Sequence, residues 1–296
     1  MVANQRKILV TGATGQQGGS LAGLLLQKKH KVYALTRNSQ SPAAQDLRNR
    51  GANIVKGDLD DSDSLQRAVK DVESVFLMGT PFEDGTEGEI RRGKLMADIA
   101  KENNIEHLVY SSVANADKNT GIPHFESKYK VEQHIKNLGI PYTIIGPTFF
   151  MENLLGPGLE QGQLALPLSP STVLQQSALE NIAEFSALML ERRKPFLGKR
   201  IDIASGEVTG KQAAEILSNE LGQRIRYVPI PLEQVYQANE DMARMYNWYE
   251  KAATGIDITS LHQEYPEVKW LSIKDWSISK LRWEYMTSYD NNNNKR

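Results

Sequence analysis

Residues 7–29, KILVTGATGQQGGSLAGLLLQKK, constrain the fold more than any other stretch. Ile8, Leu9 and Val10 form a continuous apolar run, the pattern of a strand covered on both faces. Gly12, Gly15 and Gly18 follow three apart, and the helical pattern after them sets Leu21, Leu24 and Leu25 on one face. A glycine turn between a strand and a helix is the context that makes this otherwise unspecific spacing a dinucleotide-binding loop. Gly12 permits the tight turn, Gly15 lets backbone N–H groups approach a pyrophosphate, and Gly18 lets the helix pack close to the strand. The helix N-terminus adds its positive dipole end.

A chain of 296 residues suffices for one large α/β domain or two unequal lobes, with a core that needs no staples. Lys and Arg total 35 against 36 Asp and Glu, a net charge of −1, which argues against direct nucleic-acid binding. The absence of cysteine removes disulfides, thiolate nucleophiles and Cys-ligated metals. The five histidines (30, 107, 124, 134 and 262) show no metal-binding spacing, so no metal site is expected. No signal peptide or bilayer-spanning run is apparent, and the expectation is a soluble cytoplasmic protein with access to the nucleus, bound to no membrane.

Alternation of apolar runs and amphipathic stretches predicts strands at 31–37, 53–56, 72–78, 107–111 and 142–145. Helices are predicted at 43–50, 62–69, from 89 to about 103, and from about 125 to 138. Six such strand–helix units make a Rossmann-type doubly wound parallel sheet with helices on both faces. Strand two ends in Thr36-Arg37-Asn38, with no acidic residue between Gly15 and Asp46. An NAD site places an acid about 20 residues beyond the glycines for the ribose hydroxyl. Arg37 at this place favours NADP(H), with the guanidinium as clamp of the 2′-phosphate; the alternative is a solvated strand-end charge. Asp58 and Leu59 end strand three, either to hold an adenine or to start the next helix. Residues 83–88 read as a mobile rim, and Lys94 on the following helix is placed to reach the cofactor side.

The stretches TGATGQQGGS (11–20), TRN (36–38), GDLDD (57–61), HFESKYKVEQHI (124–135), GIPYTIIGPTFFMENLL (139–155) and KDWSISK (274–280) identify the chain as resembling the NmrA-like family of atypical short-chain dehydrogenase/reductases. That resemblance implies an NADP(H) site built from Gly12, Ala13, Thr14, Gly15, Gln16, Gln17, Arg37, Asn38, Asp58, Leu59, Thr80, Pro81, Phe82, Lys128, Phe150, Met151, Glu152 and Asn153. It implies redox sensing as the function.

A short-chain reductase pairs a Tyr general acid with a Lys four residues on, and a Ser that donates to the carbonyl. No tyrosine of the 1–150 half has Lys at i+4; Tyr265, with Lys269 four residues on, lies far along the second half. Where the family alignment expects the phenol stands His124, in His124-Phe125-Glu126-Ser127-Lys128. Tyr129 lies about 100° round the helix from Lys128 and is no substitute. Two readings follow. In one, the protein binds NADP(H) and reports its occupancy to a regulatory protein partner, with Lys128 anchoring the ribose. In the other, it is an NADPH-dependent oxidoreductase acting on a quinone or conjugated carbonyl, with Lys128, His124 and Ser111 as candidate catalytic residues. Either form is compatible with a homo-oligomer.

The lobe boundary is expected near residue 150, giving a 1–150 cofactor domain, a smaller mixed α/β lobe at 151–286 for substrate or partner, and a disordered 287–296 tail. Within that lobe a helix is predicted at 178–192, and residues around 199–222 are expected to return to the main sheet. A helix is predicted from 232 to about 254. The bulky residues Met242, Met245, Tyr246, Trp248 and Tyr249 are core or a partner surface, and Phe149, Phe150 and Met151 line the nicotinamide end or the aromatic pair is core.

Overall fold

The computed structural model describes residues 5–156, 158–252 and 254–280. The predicted tail at 287–296 and the last residues of the predicted lobe lie outside them. In chain order the elements are β1 (Lys7–Val10), α1 (Gln16–Gln27), β2 (Lys31–Thr36), α2 (Pro42–Asn49), β3 (Asn53–Lys56), α3 (Ser62–Val69), β4 (Ser74–Met78), α4 (Gly85–Glu102), β5 (His107–Ser111), α5 (Pro123–Leu138) and β6 (Tyr142–Pro147). Then come β7 (Phe149–Phe150), β8 (Gln163–Leu166), β9 (Val173–Ser177), α6 (Leu179–Arg192), β10 (Arg200–Ile203), β11 (Gly206–Thr209), α7 (Gly210–Leu221), β12 (Arg226–Pro229), α8 (Leu232–Ala238), α9 (Glu240–Lys251) and α10 (Ile258–Glu264). No described helix is long and apolar enough to cross a membrane.

The first compact unit comprises residues 1–147 and 182–203. Its sheet runs β10-β6-β5-β4-β1-β2-β3, all parallel, the order of a doubly wound Rossmann-type fold. The order reverses between β1 and β4, which opens a crevice at their carboxyl ends. Ile8, Leu9, Val10, Val75, Phe76, Leu77, Leu108 and Val109 are fully buried, as strands covered on both faces require. Arg200 ties β10 inward: its Nε donates to the wholly buried Glu132 carboxylate at 3.0 and 3.2 Å, and its Nη2 donates to the Val113 carbonyl at 2.7 Å.

The second unit comprises residues 148–181 and 204 onward. β9 is central in a three-stranded sheet, antiparallel to β11 and parallel to β7, and β12 pairs with β8 in a separate parallel pair. Phe149 packs with Tyr246 and Tyr249, ring centroids 6.3 and 6.4 Å apart, and Tyr249 in turn meets Tyr246 and Trp248 edge-on at 6.5 and 5.6 Å.

Four expectations need correction. Residues 182–203 belong to the first unit, because β10 pairs with β6 and Thr143 of β6 donates its hydroxyl to the Phe196 carbonyl at 2.9 Å. Only 200–203 return to the main sheet; β11 instead pairs with β9, and α7 packs on β12 in the second unit. Residues 85–88 are the first turn of α4, not a rim, with Gly85 entering at φ +70°. The 232–254 helix is broken at Asn239, whose extended backbone (φ −160°, ψ 102°) ends α8 and whose side chain accepts from Met242 N–H to cap α9.

Candidate functional site

The glycine loop sits where the strand order reverses. Thr11 Oγ1 donates to the Met78 carbonyl at 3.0 Å and accepts from Met78 N–H at 2.8 Å, stitching the ends of β1 and β4 together. Gly12 turns the chain at φ +60°, the left-handed region where glycine carries no penalty. A Cβ on Gly18 would lie 2.4 Å from the Gly12 carbonyl oxygen and 2.7 Å from that of Thr11, so α1 packs on the loop as only glycine permits. Gly15 caps α1 with no side-chain acceptor, which leaves the first-turn N–H groups without a side-chain cap. Such a terminus suits an anion.

From this loop opens a cleft of about 410 Å³. Gly12, Thr14, Gly15, Arg37, Asn38, Asp58, Leu59 and Thr80 line it, with Thr36, Ser41, Met78, Gly79, Glu83, Glu89 and Arg92 beside them. Asp58 belongs to the wall: Asp61 caps α3 by accepting from Ser64 N–H, while the Asp58 carboxylate is held by Asp60 N–H at 3.0 Å. Arg37 donates to Glu83 at 2.9 Å. Beside that pair, Arg91 and Arg92 both reach Asp60, at 2.9 and 2.6 Å, and the hydrogen bond from Arg91 heads the effects that hold the Asp60 carboxyl below its ordinary pKa.

The remaining expected residues are distributed as follows. Ala13 is buried, and Gln17 donates to Ser111 Oγ at 2.6 Å. Gln16 is exposed, Pro81 is buried in the loop after β4, and Phe82 beside it is 68% exposed. Lys94 does not line the cleft. Two residues along an α-helix turn about 200°, so Arg92 and Glu89, three apart, take the face expected of Lys94. Phe150, Met151, Glu152 and Asn153 belong to the second unit. There Glu152 accepts from Trp276 Nε1 at 2.9 Å and Leu179 N–H at 3.2 Å, and burial raises its pKa. Met151 lines a cavity of about 380 Å³ with Gln176, Ser205, His262 and Trp270.

At the inner wall Lys128 Nζ donates to Glu89 Oε1 at 2.7 Å and to the Gly79 carbonyl at 3.2 Å. Ser127 Oγ donates to the other Glu89 oxygen at 2.5 Å. The Glu89 side chain is 1% exposed, so a buried carboxylate is compensated by one cation and one hydroxyl, as burial of charge demands. His124 lies buried in the first turn of α5, edge-on to Phe125 at 4.8 Å and tilted toward Phe82 at 6.2 Å. Ser112 donates to Glu132 at 2.5 Å, away from the cleft lining. Tyr110 in the core is fully buried, and desolvation first, then the charges of Glu89 and Glu132, push its pKa well up. It is no acid for chemistry at neutral pH. Sequence reasoning missed Glu83, Glu89 and Arg92; the i, i+3 spacing of the last two on a helix leading away from the switch point was the available signal.

A family model described as NmrA-like family matches residues 4–277. The chain belongs to the NmrA-like family. Among its relatives, an NmrA-like family domain-containing protein of Dictyostelium discoideum is 27% identical over 75% of this chain and 80% of the relative. The NAD(P)H azoreductase of Xenophilus azovorans is 29% identical over 79% of this chain and 81% of its own. Two solved structures share the NmrA-like fold. The triphenylmethane reductase of Citrobacter sp., complexed with NADP(H), has a TM-score of 0.77 at 21% identity, covering 93% of this chain and 99% of the other. NmrA, a negative transcriptional regulator, in complex with NADP, has a TM-score of 0.77 at 19% identity, covering 96% and 98%.

Proposed function

We propose that the cleft binds NADP(H) and that the protein is a redox-sensing regulator, changing conformation or partner binding with its cofactor. The residues fit the group: a backbone cradle that a Cβ at Gly18 would fill, an uncapped helix N-terminus, and Arg37 at the end of β2 where an NAD site carries an acid. When bound, the nicotinamide supplies hydride. The observation that carries the sensor reading is the company of Lys128. It keeps its place on α5 and is engaged by Glu89 and Gly79, while the position four residues before it holds a histidine packed between aromatic rings. Lys128 would hold the nicotinamide ribose, exchanging Glu89 for the ribose hydroxyls. The second unit would carry the surface that a partner reads, from a protein acting in the cytoplasm.

The reductase reading is kept by one specific feature: Lys128, Ser127 and Glu89 form a buried relay able to hold a proton beside the cleft wall. Titration with NADPH and NADH, followed by NADPH oxidation with a panel of quinones and aldehydes, separates the two. Tight NADPH binding without oxidation, together with a change in light scattering or partner capture between NADPH and NADP, is the expected result. Turnover above about 1 per second, an ordinary enzymatic value, that is lost in Lys128→Ala would overturn the sensor reading in favour of the reductase.

A further inference from the structure

We propose that Glu83 is an internal competitor for the 2′-phosphate, so that a phosphorylated dinucleotide enters by exchanging one anion for another on Arg37. The proposal rests on the NADP(H) reading of the cleft. At the cleft mouth three arginines face three carboxylates, but they are not equivalently paired. Arg91 and Arg92 each share Asp60 and Asp84, at distances from 2.6 to 3.5 Å. Arg37 has Glu83 at 2.9 Å as its ion-pair partner among the described residues, and Glu83 meets Arg92 only at 3.8 Å. Releasing Glu83 therefore frees Arg37 while Arg91 and Arg92 keep their own carboxylates.

The pair is poised to yield. Both side chains are about half exposed, 60% for Arg37 and 47% for Glu83, and exposed pairs of this kind hold weakly. A phosphate offers the guanidinium fork more charge and a bidentate geometry. Glu83 thus lowers affinity without closing the site. It also belongs to the short segment between β4 and α4 that carries the exposed Phe82 beside His124. Displacement of its carboxylate unties that segment from β2. A dinucleotide lacking the 2′-phosphate leaves the tie in place, and NADPH and NADP both break it. The segment accordingly responds to the 2′-phosphate of the cofactor, and the redox state of the nicotinamide must be read elsewhere.

The test is equilibrium titration of wild type, Glu83→Gln, Arg37→Ala and the double variant with NADPH, NADP and NADH at fixed salt. Glu83→Gln should bind NADPH and NADP about three- to tenfold tighter, leave NADH within twofold, and lose its gain when Arg37 is absent. Unchanged NADPH affinity, an equal gain for NADH, or a gain that persists without Arg37 would overturn the competition. If Arg37→Ala alone keeps the full preference for NADPH over NADH, the phosphate-clamp reading itself fails, an outcome visible without any Glu83 variant. Glu83 is exposed, and matched urea midpoints confirm that the substitution leaves the fold intact.

Discussion

Gly18→Ala is the sharpest test of the packing that builds the cleft. The added Cβ would stand 2.4 Å from the Gly12 oxygen, 2.6 Å from its carbonyl carbon and 2.7 Å from the Thr11 oxygen. All three are backbone atoms, and ordinary contact begins about 1 Å further out. No side chain can rotate away, so α1 must slide off the loop. Overpacking of this kind costs about 1–3 kcal/mol, against a gain of about 1 kcal/mol for replacing glycine within a helix. Net stability should fall by about 0–2 kcal/mol, a small shift in urea midpoint. Cofactor affinity should suffer more. A backbone N–H moved out of reach of a phosphate forfeits a charge-assisted bond worth about 1.5–3 kcal/mol, which is about a tenfold to hundredfold loss. The assay is NADPH titration beside urea unfolding, with Gly156→Ala as control, since a Cβ there meets nothing within 4 Å. A Gly18→Ala protein that binds NADPH within twofold of wild type would refute the close-approach argument.

Three further outcomes are expected. Glu89→Ala leaves the Lys128 ammonium with the Gly79 carbonyl but no counter-charge, and Ser127 Oγ with the His124 carbonyl, and should cost about 3 kcal/mol in urea unfolding; a loss below about 1 kcal/mol would show that water replaces the carboxylate. Arg200→Met removes the guanidinium from the wholly buried Glu132, leaving Ser112 and Lys136 to it, and should cost a similar amount. His107 donates Nε2–H to Thr143, which itself donates to the Phe196 carbonyl, and burial, with the charges of Arg193 and Arg6, lowers its pKa to about 4. The folded state refuses a proton that the unfolded state takes near pH 6.5. Its contribution is therefore complete above pH 6.5 and falls away as pH drops toward 4, by about 3 kcal/mol at most. Stability of His107→Gln should fall less steeply over that window, and parallel curves would exclude His107 as the source.

The sheet was legible because its determinants are local. Each strand is a short apolar run, and Gly12, Gly15 and Gly18 carry the one backbone geometry the loop needs. Arg37 was legible because it is fixed in sequence relative to that loop. The opposite wall was not, because it comes from helix phase and long-range packing. α4 starts at Gly85 behind Asp84, which makes no side-chain cap, so no signal marks its first turn or tells that Glu89 and Arg92 face the cleft while Lys94 does not. Glu83 was hidden for a further reason: an acidic loop residue looks solvated until its partner arrives from β2, 46 residues earlier. The partition of the second half failed likewise, since α6 is amphipathic wherever it packs, and only the pairing of β10 with β6 assigns the segment.

That strand pairing governs how the chain can be cut and recombined. The backbone passes between its two units after Pro147, at Asn181 and again after Ile203. A break at residue 150 would separate β10 from the sheet and leave β6 with an open edge, bare of ladder partners and of the Arg200 that neutralises Glu132. A break after Ile203 would keep all seven strands. A relative's second unit therefore cannot be grafted by one crossover near the middle of the chain; exchange requires two segments, 148–181 and everything after 203, moved together.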